Sequence, residues 1–257
     1  MAVPYDHVGV IGALPEEVER LHEHLDGETI EERAGRRYHH GRLGSQRITL
    51  VQSRIGKVAA AVTATTLIRE HGVDAIIFTG VAGALDDALS VGDVVVADQL
   101  VQHDLQGPPE MFARGEVPLL GVVEIGTDPA LAAGAVSASR DFLDSGFREL
   151  AAAARTSFDL AVEQPRVHVG EVATGDEFVH GSLKDVVRAR APRALCVDME
   201  GAAVAQVCLE HGGTPLCVIR AISDLAGATA SVDFPRFLQA LAQHYSYEIL
   251  RRLFAAP

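Results

Sequence analysis

The sequence predicts an α/β fold in which a mostly parallel sheet is covered by helices on both faces. Three observations lead there. Short, almost fully apolar runs alternate with longer amphipathic or Ala-rich stretches, the pattern of doubly buried strands joined by crossover helices. The breaks between these runs are short and often marked by Gly or Pro, as turn chemistry requires. Finally, 257 residues with 48% apolar and 22% charged side chains suffice for a large core. No linker interrupts them, so 1–257 reads as one domain.

His7 to Ala13 is a β-branched run ending in small residues and reads as a buried strand. Pro15 opens a helix, where its missing N–H is harmless, and Glu16, Glu17 and Glu19 suit the positive end of that helix. Arg47 to Ser53 alternates as a strand does. Lys57 to His71 reads as a helix, with Gly72 as its stop. Asp74 to Thr79 is an apolar strand running into a Gly-rich turn, Gly80-Val81-Ala82-Gly83, and Gly92 to Asp98 is another strand. Asp128 to Val162 is Ala-rich and reads as one or two surface helices with a break near Ser145-Gly146. Two later strands are expected at Val167 to Thr174 and Leu216 to Ile222. Helices are expected at Glu200 to His211 and Phe234 to Phe254. Residues 70–83 and 210–224 echo each other as a helix end, a Gly stop, an apolar strand and then polar or small residues. Any two αβ units share that order, but both place polar residues past the carboxyl end of a strand, where such sheets bind ligands.

The net charge of −13 repels phosphate backbones and anionic lipid, so nucleic acid and membrane surfaces are not expected partners. No apolar run approaches the roughly 18 residues of a membrane span. The N-terminus has no basic region followed by an apolar one, so no signal peptide is expected. Cys196, Cys208 and Cys217 lie in apolar stretches without a C-x-x-C pair and read as buried thiols of a cytoplasmic protein.

Several polar residues at strand ends can carry chemistry. Glu17 is either a first-turn carboxylate stabilising a helix dipole or a general base at a strand–helix junction. Ala82 and Gly83 lie where a Gly-rich backbone can approach a ligand closely, yet neither G-x-x-x-x-G-K-[ST] nor GxGxxG is present. Glu200 also stands at a helix start. The small residues Gly201, Ala202 and Ala203 after it suggest close packing around a carboxylate able to accept both hydroxyls of a ribose. Met199 reads as core or as an apolar surface against the sugar. Arg220, Ser223 and Asp224 end an apolar strand, either as a structural ion pair or as a site in which a shielded Asp224 holds a proton for a purine N7. Phe178 is a core aromatic or a stacking platform for a flat base. His103-Asp104 is not a metal site by itself, and without an H-x-x-x-H or Cys/His array no metal is expected.

Taken together, VGVIGALPEEV (8–18), SRIGKVAAA (53–61), FTGVAGAL (78–85), VGDVVVAD (91–98), TGDEFVHGS (174–182), VDMEGAAVAQVC (197–208) and RAISD (220–224) resemble the methylthioadenosine/S-adenosylhomocysteine nucleosidase family of the purine nucleoside phosphorylase superfamily. They stand in family order across nearly the whole chain. The resemblance implies a three-layer αβα fold around a mixed, partly barrel-like sheet, a homodimer, a purine nucleoside substrate and no cofactor. It implies Glu17 as the base that activates water, Glu200 as the ribose clamp with Met199 beside the sugar, and Asp224 as the reader of purine N6 and N7. By the same resemblance Phe178 stacks on the base and Val179 meets it through its backbone. Ile55 and Leu14 line the 5′ pocket, and Arg220 and Ser223 give polar support. Three departures stand out. Val81 occupies a position where the family often has a hydroxyl, the stretch 128–165 is long, and the loop PPEMFARGEVPLLG (108–121) diverges.

The expected reaction is hydrolysis of an N-ribosidic bond. The nearest rival, phosphorolysis, needs cationic and hydroxyl donors around its anion, which FTGVAG does not supply and which Glu17 opposes. Two further rivals are hydrolysis of futalosine or aminodeoxyfutalosine and a non-catalytic nucleoside-binding protein.

Overall fold

The computed structural model describes residues 3–158, 160 and 162–255. The expected domain, 1–257, also includes Met1, Ala2, Asp159, Ala161, Ala256 and Pro257, which lie outside the described residues. The chain runs β1 (His7–Gly12), α1 (Pro15–His22), β2 (Asp26–Arg33), β3 (Arg36–Leu43), β4 (Gln46–Gln52), α2 (Lys57–Arg69), β5 (Ala75–Ala84), β6 (Val94–Gln102), β7 (Ile125–Gly126), α3 (Pro129–Ser145), α4 (Phe147–Phe158), β8 (Val167–Thr174), α5 (Leu183–Arg190), β9 (Ala194–Asp198), α6 (Gly201–Glu210) and β10 (Leu216–Asp224). It ends in α7 (Ala230–Phe237), a π-helical turn (Leu238–Ala242) and α8 (Gln243–Leu253).

The sheet order is β10-β6-β8-β9-β5-β1-β4-β3-β2, with β7 on β6. A further β10–β5 pairing closes β5, β10, β6, β8 and β9 into a five-stranded ring. The sheet is mixed rather than mostly parallel. β1 pairs in parallel with β4 and β5, β5 with β10, and β8 with β6 and β9, whereas β10–β6, β5–β9 and the β2–β3–β4 meander are antiparallel. The barrel-like, nucleoside phosphorylase-like architecture implied by the resemblance is therefore the observed one.

Both faces of the central strands are buried, and successive residues serve opposite cores. Val8 and Val10 of β1, Ala75 and Ile77 of β5, and Cys217 and Ile219 of β10 join one core with α3 and α8. Ile11, Ile76, Phe78, Leu216 and Val218 join the other with α2 and α6. The Ala-rich stretch is two helices. Asp128 caps α3 by accepting the Leu131 N–H at 2.8 Å, and Gly146 separates α3 from α4.

Three expectations are corrected here. Gly80 to Gly83 is not a turn but part of β5, because β10 pairs with it through Gly83 and β9 pairs with Gly83 and Ala84. The strand expected to stop at Ile222 continues to Asp224, with a bulge between Ile222 and Asp224. The C-terminal helix starts at Ala230 and is interrupted by the π turn.

Phe142 of α3 is fully buried and meets Tyr245 and Phe147 edge-on, with centroids 5.1 and 6.1 Å apart. Truncation leaves a cavity that rigid neighbours cannot fill. Phe142→Ala is expected to destabilise the fold by about 3–5 kcal/mol, read from the urea midpoint. An unchanged midpoint would mean that α3 does not stabilise the fold through this contact.

Candidate active site

The carboxyl ends of β1, β5, β9 and β10 open onto a cavity of about 290 Å³ lined by Ala13, Leu14, Glu17, Ile55, Val81, Ala82, Gly83, Phe178, Val197, Asp198, Met199, Glu200, Ser223, Asp224 and Phe234. Ten of the residues singled out from sequence meet there: Leu14, Glu17, Ile55, Ala82, Gly83, Phe178, Met199, Glu200, Ser223 and Asp224. Val179 lies beside it, lining a smaller adjoining cleft. Arg220 is placed differently: it does not line the cavity but is buried behind it.

Glu17 stands in the first turn of α1 and also lines the cavity. From the first turn of α1 its carboxylate folds back, and Oε2 accepts the N–H groups of Ala13 at 2.6 Å and Leu14 at 2.9 Å. Oε1 accepts the N–H of Val81 at 3.0 Å. Val81 thus meets Glu17 through its backbone, while its side chain brings no hydroxyl to the cavity. Gly80 makes room for this arrangement, since a Cβ there would stand 2.6 Å from Glu17 Oε1. Burial raises the pKa of Glu17, against the pull of these N–H donors and of Arg220.

Glu200 sits at the residue before α6, held where β9 turns into the helix. Its Oε1 accepts the N–H of Gly56 at 2.9 Å. Gly56 has φ +98°, a conformation that favours glycine, so the SRIGK stretch contributes a backbone donor to the site. Burial and the neighbouring Asp198 charge push the Glu200 pKa up to about 8.

Asp224 follows the β10 bulge. Its Oδ2 accepts the Ser223 hydroxyl at 2.9 Å, and its Oδ1 accepts the Ala226 N–H at 2.8 Å. Burial raises its pKa too, partly offset by these two donors. A carboxyl whose pKa is raised keeps its proton to higher pH than a free one and is a better match for a basic nitrogen.

Behind the wall, Arg220 Nε donates to Asp198 Oδ2 at 2.8 Å, and the guanidinium stacks over the Phe78 ring at 4.2 Å. Asp198 also accepts the Thr174 hydroxyl at 2.5 Å and the N–H of Gly201 at 3.1 Å. Burial opposes the Arg220 charge, but Asp198, Glu200 and Glu17 hold its pKa above the ordinary value.

Sequence reasoning passed over Asp198, Ala13, Val197 and Phe234 as lining residues. Asp198 stands two residues before Glu200, and that proximity was the available signal. Phe234 belongs to α7, and nothing in its local pattern distinguishes it from a core aromatic.

The chain matches the phosphorylase superfamily over residues 7–255. It is 36% identical over 238 residues to the 5′-methylthioadenosine/S-adenosylhomocysteine nucleosidase of Chromohalobacter salexigens, covering 92% of each protein. The structure of the Colwellia psychrerythraea nucleosidase of the same name, in complex with adenine, superposes with a TM-score of 0.85 at 31% identity, covering 100% of this chain and 99% of that one. The futalosine hydrolase of Helicobacter pylori superposes with a TM-score of 0.80 at 31% identity, covering 96% and 97%. With its closed five-strand ring and its convergent carboxylates, the chain belongs to the 5′-methylthioadenosine/S-adenosylhomocysteine nucleosidase family of the phosphorylase superfamily.

Proposed function

We propose that the protein hydrolyses the N-ribosidic bond of adenine nucleosides such as 5′-methylthioadenosine or S-adenosylhomocysteine, releasing adenine and the ribose moiety. The observation that carries this reading is the meeting of Glu17, Glu200 and Asp224 in one cavity whose lining contains no Lys, Arg or His. Phosphate would find no cation in that lining to pair with, whereas water, which has no net charge, needs none.

In this reading Glu200 accepts the 2′ and 3′ hydroxyls. In its ionised form Glu200 attracts the positive charge that grows on the ribose, and that attraction strengthens toward the transition state. Asp224 passes its proton toward N7 as the base departs, and Glu17, with its raised pKa, takes the proton of the attacking water. Phe178 stacks on the purine, Val179 meets it through its backbone, Met199 lies against the sugar, and Ala82 and Gly83 let the nucleoside approach β5 closely. Leu14 and Ile55, joined by Phe234, form an apolar surface suited to a thioether at the 5′ position. Ser223 orients Asp224, and Arg220 supports the carboxylates electrostatically.

We also place the protein in the cytoplasm as a homodimer. The three cysteines are buried and unpaired, which suits a reducing compartment. The exposed apolar side chains of Val58, Met111 and Leu119 favour a covered face. Light scattering is expected to give twice the chain mass, and a monomer at assay concentration would remove the dimer from this proposal.

The reaction is tested by product analysis on methylthioadenosine, S-adenosylhomocysteine, 5′-deoxyadenosine, inosine and aminodeoxyfutalosine, each with and without phosphate. Free adenine and a reducing sugar without phosphate are expected from the thio-substituted nucleosides. Ribose 1-phosphate formation, or a preference for aminodeoxyfutalosine, would replace the proposal. Glu17→Gln is expected to lower kcat about 10²–10⁴-fold while leaving nucleoside affinity within a few-fold; wild-type turnover would remove Glu17 as the base.

The charge of Glu200 also couples stability to pH. Its pKa is raised on folding, from 4.5 to about 8. The stability it confers is complete below the lower value and is lost as pH rises through the upper one. Glu200→Gln has no such dependence. Its stability relative to wild type is expected to gain on the order of a few kcal/mol between about pH 5 and 8, then level off. Parallel stability curves for the two proteins would show that Glu200 is not held in its neutral form.

A further inference from the structure

We propose a second site, a transition-metal site of the zinc class formed by Glu31, His40 and His71 on the side of the sheet edge that meets the end of α2. His40 Nε2 lies 3.9 Å from Glu31 Oε2, and His71 Nδ1 lies 4.0 Å from the same oxygen. The three ligand atoms fall within 4.8 Å of one another. These gaps are too long for hydrogen bonds and slightly wider than the roughly 3.3 Å that separates ligands around a tetrahedral zinc with bonds near 2.0–2.1 Å. Two imidazoles and one carboxylate suit zinc and its neighbours and do not suit magnesium or calcium.

The surroundings orient each group. The Thr49 hydroxyl stands 3.0 Å from His40 Nδ1 and 2.8 Å from His7 Nε2. The hydroxyl can donate to one ring and accept from the other, and the arrangement in which it accepts from His40 Nδ1–H leaves His40 Nε2 with its lone pair facing Glu31. Fixing the far nitrogen of a ligating histidine in this way is the usual outer support of a metal site. Arg33 Nε holds the other oxygen of Glu31, Oε1, at 2.8 Å, leaving Oε2 toward the histidines. The His71 side chain is 6% exposed, stacks on Tyr38 at 4.4 Å, and has a buried Nε2 without a hydrogen-bond partner. Glu31 is 43% exposed, which leaves an entry path and room for a water as fourth ligand.

Such an ion would tie β2 and β3 to the C-terminal end of α2. Two ligands come from the paired strands β2 and β3 and the third from just past the end of α2, a spacing that matches no H-x-x-x-H or Cys/His array. None of the three lines the active-site cavity. A neighbouring cluster, His22, Glu28 and His39, is partly satisfied by the direct 2.7 Å contact of His39 Nδ1 with Glu28 and serves as the control.

The test uses tag-free, metal-stripped full-length protein, titrated calorimetrically with zinc chloride and with magnesium chloride, with Tm read in parallel. Zinc is expected to bind and raise Tm, and magnesium to do neither. The His40→Gln/His71→Gln protein is expected to lose one zinc equivalent together with its Tm rise, while His22→Gln/His39→Gln keeps that equivalent. Thr49→Val is expected to weaken the site about 10–100-fold. Circular dichroism and adenine release report folding. If the double variant does not fold, Glu31→Gln carries the same reading from an exposed position. Zinc binding that is absent in wild type, matched by magnesium, or unchanged in stoichiometry in the Glu31, His40 and His71 variants would overturn the proposal.

Discussion

The buried ion pair between Arg220 and Asp198 is the interaction on which the site depends. Asp198 gathers Thr174 from β8, the first N–H of α6 and the Arg220 guanidinium from β10, so one carboxylate joins three elements. The guanidinium in turn offsets the charge of Glu17 and Glu200. Without that cation, buried carboxylates would face one another unscreened, and the leftover charge of a broken pair typically costs 3–5 kcal/mol. Arg rather than Lys suits the position, because a planar cation can lie on Phe78 while donating in its own plane.

Closure of the ring explains why the carboxylates meet. β5 pairs with β1 along Ala75–Phe78, with β10 along most of its length and with β9 at Gly83 and Ala84, so one strand touches every strand that leads into these carboxylates. Glu17 arrives from α1 after β1, Glu200 from the start of α6 after β9, and Asp224 from the end of β10 itself. The charges are placed by backbone geometry: N–H groups of Ala13, Leu14, Val81, Gly56 and Ala226 hold them.

Much of this was legible before the structure. Apolar runs located β1, β5, β6 and β10, because buried strands must be apolar, alternation located β4, and β8 was also expected. Glu17, Glu200 and Asp224 stood out as charges at the ends of such runs, and the ordered motifs tied them to one family. Other features left little local trace. β2 reads DGETIEER and is almost wholly exposed, so neither alternation nor β-propensity marks it. Gly80 to Gly83 looked like a turn because the pairing that keeps it extended comes from β9 and β10, more than a hundred residues away. Arg220 was legible as a charge ending a strand, as an ion pair or as polar support, but sequence does not show which side of the cavity wall such a charge occupies.

The β10 bulge has a wider consequence. A regular strand shows one face only every second residue, so two neighbours along the chain cannot both serve the same cavity. The irregularity between Ile222 and Asp224 lifts that restriction, and Ser223 and Asp224 both reach the nucleoside cavity. The hydroxyl that tunes Asp224 is therefore its covalent neighbour, and their separation is set by one peptide unit instead of by the docking of distant elements. The Ser223 bond therefore travels with Asp224, whereas burial, the larger influence on that carboxyl, is set by the walls around it.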